Sequence, residues 1–291
     1  LFGNTSLQPG IRLMSFKLSD SMYRHYPGPK FGRQGIRELC GIEKGPILMS
    51  ALKPLGRSAK DFGETAYKLA LGGCPLIKDD HSLFNQSYAP FKDRVKACVD
   101  SVNNANAKTG GRSLYIANCT ADSMEFLERA MTAQELGAGG IMAAPGLLGL
   151  SIIRELSSAP DFHLPIFLHP CFSGPLVLSA DSGISPFCCY GQFSRLAGAD
   201  AAIFTSFGGR FPFTEEVCRK ICDGTETEMG GLRSIFPVPS GGMKWQLFKK
   251  MVQVYDPDAI FLVGGALLTE SDDLTANMHF YFEKLNEAVN K

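Results

Sequence analysis

An eightfold alternation of short apolar runs with amphipathic helical patterns constrains this chain more than any other feature. The apolar runs fall at 47–52, 75–80, 114–119, 140–144, 165–169, 201–205, 235–239 and 260–263, recurring roughly every 24 to 40 residues. That spacing suits a strand followed by a returning helix. Between the first two runs, Ser58 can cap a helix with Asp61, and Phe62, Ala66, Leu69 and Ala70 then fall on one face. Further helices are predicted to start near Ser123, Thr214 and Ser271. Two joints repeat one phrase, Leu136-Gly137-Ala138-Gly139 and Leu196-Ala197-Gly198-Ala199, in which glycine ends a helix before the next strand. Repetition of one unit predicts a closed (β/α)8 barrel. The competing architecture, a doubly wound open sheet, calls for fewer strands and a phosphate loop after the first, where this chain has Lys53-Pro54-Leu55-Gly56. Ahead of the first unit lie an extended stretch over 11–18 and the turn-rich Pro27-Gly28-Pro29.

In a barrel, chemistry gathers at the carboxyl ends of the strands. Here those ends read Lys53, then Lys78-Asp79-Asp80-His81, Asn118, Ala144-Pro145, His169, Ser206, Ser240-Gly241-Gly242 and Gly264-Gly265. Strand alternation sends Lys78 and Asp80 to one face and Asp79 to the other, with His81 just past the end. An amine among carboxylates can be an ordinary ion pair, but a whole ring of polar strand ends would be costly in a core. The Ser-Gly-Gly and Gly-Gly turns expose backbone N–H groups where barrels commonly hold phosphate, or they are tight turns only. Gly208-Gly209-Arg210, between Phe207 and Phe211, reads as a mobile loop whose cation clamps an anion or faces solvent. His25, His163 and His279 lie off the strand ends and read as surface or core histidines.

Composition narrows the partners. Of 291 residues, 45% are hydrophobic and 20% charged, and 29 basic residues balance 29 acidic ones. With no Lys/Arg run, this argues against nucleic acid or an anionic membrane as the main partner and for a small molecule. The longest apolar stretch, 141–153, is broken by Pro145, Gly146 and Gly149 and is too short to span a bilayer. Nine cysteines, none in a Cys-x-x-Cys pair, point to buried free thiols in a reducing compartment and to a cytoplasmic location. The opening Leu1-Phe2-Gly3-Asn4, without an initiator Met or a signal-peptide pattern, is expected of a piece of something longer.

Taken in order, Lys53-Pro54, Gly72-Gly73, Lys78-Asp79-Asp80, Asn118-Cys119-Thr120-Ala121, His169, Pro239-Ser240-Gly241-Gly242 and Gly264-Gly265 resemble the barrel domain of the RuBisCO large subunit. The similarity runs from about Gly45 to the end, and Phe2-Gly3-Asn4 resembles the close of that family's amino-terminal domain. The resemblance implies that residues 1–40 end a preceding α+β domain and its linker, and that 41–291 form the catalytic barrel. It further implies that Lys78 is carbamylated by carbon dioxide and binds Mg2+ with Asp80 and the residue at His81. Lys53 would be an acid or base near the substrate carbonyl, and His169 would line the site. Asn118, Arg210, Ser240, Gly241, Gly242, Gly264 and Gly265 would bind substrate or its phosphate. Asn4 would reach the site of a neighbouring subunit in a homodimer or larger homo-oligomer.

Departures from the carboxylases redirect the expected chemistry. Carboxylases carry a second lysine where Leu55 stands, an arginine where Pro170 stands, a glutamate at His81 and a mobile-loop lysine at Arg210. The chain is similar instead to the RuBisCO-like proteins, which apply a metal-stabilised enolate to other phosphorylated sugars and sugar acids. With an imidazole in the donor set, Mn2+ or another divalent ion competes with Mg2+. The preferred reaction at this level is decarboxylation or related carbon–carbon cleavage of a sugar-acid phosphate. The alternatives are a methionine-salvage enolase or isomerase, a metal-free aldolase using Lys53 or Lys78 as a Schiff base, and a catalytically silent barrel.

Overall fold

A computed structural model of the protein describes residues 3–255 and 258–290. Eight parallel strands form one sheet: β1 (Ile47–Leu52), β2 (Leu76–Asp79), β3 (Leu114–Asn118), β4 (Gly140–Ala143), β5 (Ile166–Leu168), β6 (Ala201–Thr205), β7 (Phe236–Ser240) and β8 (Ile260–Leu262). β8 returns to pair with β1, Ile260 opposite Ile47, while β7 lies beside β8 and leaves the ring nearly closed. First-to-last pairing is incompatible with an open doubly wound sheet, so the expected (β/α)8 barrel is the architecture.

Strand starts shift by a residue where chemistry requires it. Pro75 and Pro165 have no N–H to give a ladder, yet their carbonyls accept from Leu114 and Ile141, so β2 and β5 begin one residue later than predicted. Among the helices, α1 (Ala59–Leu71) carries the complete Ser58–Asp61 capping box, and its Phe62, Ala66, Leu69 and Ala70 are all buried. α2 (Phe91–Thr109), α3 (Ser123–Glu135) and α4 (Glu215–Glu226) follow β2, β3 and β6. The last helix, α5 (Leu274–Val289), starts later than Ser271 because Asp273 caps it, accepting from the Thr275 and Ala276 N–H groups. Gly137 and Gly198, at the two repeated joints, have φ of 86° and 84°, the left-handed turn that releases each chain into β4 and β6.

Alternation along the strands separates two cores. Ile47, Met49, Ala51, Leu76, Ile116, Met142, Phe167 and Ile203 fill the barrel interior, whereas Leu48, Leu52, Ile77, Tyr115 and Ile141 face the helices. A helix over Gly32–Cys40 stops the amino-terminal end of the barrel, its Ile36 and Cys40 packed into the interior core. This helix therefore packs with the barrel, although the sequence boundary at 40/41 assigns it to the linker. Of the extended stretch over 11–18, only Arg12–Leu13 forms a ladder, with Gly183–Ile184. All nine cysteines are free, six of them buried, so their odd number reflects packing. No helix among the described residues is long and apolar enough to cross a membrane.

Candidate active site at the carboxyl ends of the strands

The inward series on each strand ends in polar residues. Ile47, Met49 and Ala51 lead to Lys53; Leu76 leads to Lys78 and Asp80; Phe167 leads to His169; Phe236 and Val238 lead to Ser240. Above them opens a cavity of about 800 Å3 lined by Lys53, Lys78, Asp80, His81 and His169. Its far side is made by Ser240, Gly241, Gly242, Gly264 and Gly265, with Arg210 over one edge. The structure thus brings together every one of these sequence-predicted residues.

Lys78 is 2% exposed, and its amine donates to the Asp79 carbonyl at 2.8 Å. Burial pushes this amine down to about 8, against the upward pull of Asp80 and Asp79. Burial alone would raise the Asp80 carboxyl. The Ser82 N–H, the Lys53 amine and His81 outweigh it and hold the group below the usual carboxylate range. Lys53 lies 3.0 Å from Asp80, and its side chain is 43% exposed, so it projects into the cavity and is not buried beside the carboxylate. His81 Nδ1 lies 3.4 Å from the other Asp80 oxygen, and burial lowers the proton affinity of the ring. Burial, then the charges of Lys78 and His81, pushes His169 well below the ordinary imidazole range.

Asp79 faces the helix layer and never reaches the cavity. It accepts from Arg94 at 3.2 Å, the Tyr115 hydroxyl at 2.7 Å and the Asn118 N–H at 2.9 Å. Arg94, fully buried, also holds the Phe84 and Ala89 carbonyls, so one cluster fixes both the end of β2 and the loop after it. The sequence signal for Arg94 is a charge set within the buried stripe of α2, between Phe91 and Val95 and below Cys98. Asn118 is 1% exposed and lies outside the cavity lining. Its amide holds the His81 and Leu83 carbonyls while its oxygen accepts from Thr120, so it shapes the His81 loop and does not face substrate. Ser206 likewise bonds Tyr255 away from the cavity.

The glycine loops are interlocked. A Cβ on Gly209 would come within 2.5 Å of the Gly241 carbonyl, so the loop carrying Arg210 rests directly on the turn after β7. Ser240 donates its hydroxyl to the Phe204 carbonyl at 2.9 Å, which leaves backbone N–H groups as the free donors of that turn. Asn4 sits on an exposed 3-10 turn, Gly3–Leu7, and Phe2 lies outside the described residues. Strand-end logic missed an apolar wall of Val177, Leu178, Tyr190, Phe211 and Phe213, and a further cation, Lys244. Phe211, Phe213 and Lys244 come from loops, and Val177 and Tyr190 from short helical segments between β5 and β6, where the barrel pattern carries no signal.

The fold and the ring of strand-end groups define a (β/α)8 barrel with a polar cavity at the carboxyl ends of its strands. Residues 32–277 match the family described as ribulose bisphosphate carboxylase large chain, catalytic domain. The chain is 36% identical over 280 residues to 5-methylthioribulose-1-phosphate isomerase of Rhodospirillum rubrum, covering 94% of this chain and 72% of the relative. It is 36% identical over 267 residues to 2,3-diketo-5-methylthiopentyl-1-phosphate enolase of Geobacillus thermodenitrificans, covering 91% of this chain but just 65% of the enolase. A solved RuBisCO-like protein, MtnW of Alicyclobacillus acidocaldarius, superposes with a TM-score of 0.91 at 30% identity, over 100% of this chain and 76% of that one. The chain belongs to the RuBisCO large-chain family, on its RuBisCO-like side and apart from the true carboxylases.

Proposed function

We propose that the protein is a metal-dependent RuBisCO-like enzyme that moves a proton next to the carbonyl of a phosphorylated keto sugar or keto acid. The observation that carries this is the buried Lys78 amine beside Asp80 and His81, across one cavity from the glycine turns after β7 and β8. Among the described residues there is no ready-made group of three His, Cys, Asp or Glu for a metal. A carbamate on Lys78 would complete one with Asp80 and His81, and an amine that gives up its proton readily is the nucleophile carbon dioxide needs. That oxygen-and-imidazole set suits Mg2+ and also Mn2+. When bound, the cation supplies Lewis-acid polarisation of the carbonyl. Lys53 would carry the proton, while the N–H groups of Gly241, Gly242, Gly264 and Gly265, with Arg210, would hold the phosphate.

The apolar wall favours a substrate with an apolar end, and the names of the relatives favour the same choice, an enolase or isomerase of the methionine-salvage type. A second reading, the carbon–carbon cleavage preferred at the sequence level, is supported by the charge of the cavity. Lys53, Arg210 and Lys244 line it, while the charges of Asp80 and of a carbamate on Lys78 would be balanced by the divalent ion. Incubation of the full-length protein in deuterated buffer with Mg2+, bicarbonate and a panel of ketose phosphates and sugar-acid phosphates separates the two. Deuterium uptake without carbon dioxide release supports the first, carbon dioxide release the second, and neither supports a silent barrel. Borohydride trapping of a Lys53 or Lys78 adduct would turn the assignment to a Schiff-base aldolase. A homodimer completing each site with Asn4 of the other subunit belongs to the same proposal.

A further inference from the structure

The turn after β5 is built on a costly backbone conformation. Phe172 has φ of 62°, in the left-handed region that a bulky side chain rarely adopts, and its ring, 68% exposed, gains little packing in return. Pro170 to Ser173 closes as a tight turn, the Ser173 N–H donating to the Pro170 carbonyl at 3.1 Å. Turns with this backbone place glycine where Phe172 stands. Holding it together, the Ser173 hydroxyl donates to the same carbonyl at 2.5 Å, which leaves its oxygen to accept from the buried Tyr190 hydroxyl at 2.7 Å. Gly146 packs beneath, where a Cβ would come within 2.5 Å of the Cys171 carbonyl.

This turn delivers a hydrogen-bond donor. The Cys171 backbone N–H points at His169 Nδ1 from 3.2 Å, and the Cys171 Sγ lies 3.2 Å from the same nitrogen. A ring nitrogen that faces a backbone N–H must present its lone pair, and a neutral imidazole then carries its proton on Nε2. We infer that the Pro170–Ser173 turn, braced by Ser173 and Tyr190, is a positioning device that fixes His169 as the Nε2–H tautomer. His169 is then a hydrogen-bond donor toward substrate, neither a base nor a metal ligand. Of the two stacked imidazoles, only His81 is left with a ring nitrogen free to bind a cation. The oxygen that His169 would serve rests on the proposed reaction; the tautomer does not.

The test reads the tautomer directly, without substrate. Long-range 1H–15N correlation spectra of 15N-histidine-labelled protein at neutral pH, with His169 assigned by the signals lost in His169→Gln, are expected to show Nδ1 unprotonated and Nε2 protonated. A native spectrum with the proton on Nδ1 overturns the assignment. In Tyr190→Phe, which removes one hydroxyl, and in Ser173→Ala, the Nδ1–H form is expected to appear, while Ser173→Thr keeps the native signature. Phe172→Gly, which relaxes the strained φ, should keep it as well. An unchanged Nε2–H signature in both Tyr190→Phe and Ser173→Ala would show that the brace does not set the tautomer. Since no turnover is measured, failure of the reaction proposal leaves this outcome readable.

Discussion

The rings of His81 and His169 lie parallel, their centroids 4.7 Å apart and their planes within 8°. They follow β2 and β5, three strands apart around the barrel, and burial lowers the proton affinity of both. Two imidazolium ions could not stack this way, so the pair is built to be neutral. Its members differ in what their Nδ1 atoms meet, a carboxylate of Asp80 for one and the Cys171 N–H for the other. The stack therefore gives the cavity two imidazoles with different capacities.

Lys78 should gate activity through carbon dioxide. Carbamylation needs the free amine, so activation by bicarbonate is expected to be about half-developed near the amine's midpoint of about 8, to grow above it and to fade well below it. Lys78→Ala should lower metal affinity by more than about 100-fold, beyond the range typical of supporting residues. Calorimetric metal titration in carbonate-free and bicarbonate buffer checks this. Equal affinities in the two buffers would remove the carbamate.

The barrel and most of the site were legible in the sequence for one reason. Strand alternation is a local rule, and it took Leu76 to Lys78 to Asp80 inward and Asp79 outward without any tertiary information. Loops obey no such period. The apolar wall from Val177 to Phe213 and the cation of Lys244 are set by tertiary folding and stayed invisible. Asn118 shows the limit of the rule: alternation points it inward, but the loop carbonyls of His81 and Leu83 capture its amide first. Lys53 shows another, since it stands one residue past the end of β1, where alternation carries no information on depth, and its side chain is 43% exposed.

Lys53 is expected to act on the chemical step. Lys53→Met should slow turnover by about 100- to 10,000-fold, the range of general acid–base catalysis, with KM little changed. Metal affinity should hold or rise, because the amine 3.0 Å from Asp80 competes with any cation for that carboxylate. Steady-state kinetics with a substrate found by deuterium uptake decides it, and a change confined to KM would give Lys53 a binding role.

Asp200 should make stability fall as pH rises. Its carboxylate, 1% exposed, accepts the Phe31, Gly32 and Ile166 N–H groups and so ties the Gly32–Cys40 helix to the foot of the barrel. Burial nonetheless pushes its carboxyl up from 3.8 to about 6. A group that holds its proton more tightly folded than unfolded stabilises the fold fully below its unfolded value. The contribution is lost as pH rises through the folded one, here by about 3 kcal/mol at most. Asp200→Asn removes that slope and costs about 1–3 kcal/mol at low pH by setting an amide N–H against the Ile166 N–H. Denaturant unfolding of both proteins from about pH 4 to about pH 7 tests it. A stability difference that does not shrink with rising pH would contradict the assignment.

Asn4 is expected to work across a subunit boundary. Asn4→Ala and Lys53→Met homodimers should each be impaired, while mixed dimers should regain activity at the one site that has both residues intact. Recovery after co-refolding, with the mixed species resolved by a tag, is the measurement. No recovery would mean that each site is built within one chain.

His81 is expected to decide both metal choice and substrate charge. A carboxylate at this position would leave a divalent ion with three anionic donors. With imidazole, a carbamate on Lys78 together with Asp80 would balance the ion, and a more anionic substrate would be tolerated. Imidazole also favours Mn2+, Ni2+ or Zn2+ relative to Mg2+, which prefers oxygen. His81→Glu should therefore improve Mg2+ binding relative to Ni2+ or Zn2+ by about tenfold or more, some 1.4 kcal/mol. The side chain is 43% exposed, so the exchange leaves the buried core untouched. Competitive metal titrations of native protein and His81→Glu in bicarbonate buffer give the answer. Identical rankings would mean that His81 stays bound to its neighbours while water takes its place at the cation. The charge argument for a sugar-acid substrate would fall with it, leaving the apolar wall as the feature that selects the substrate.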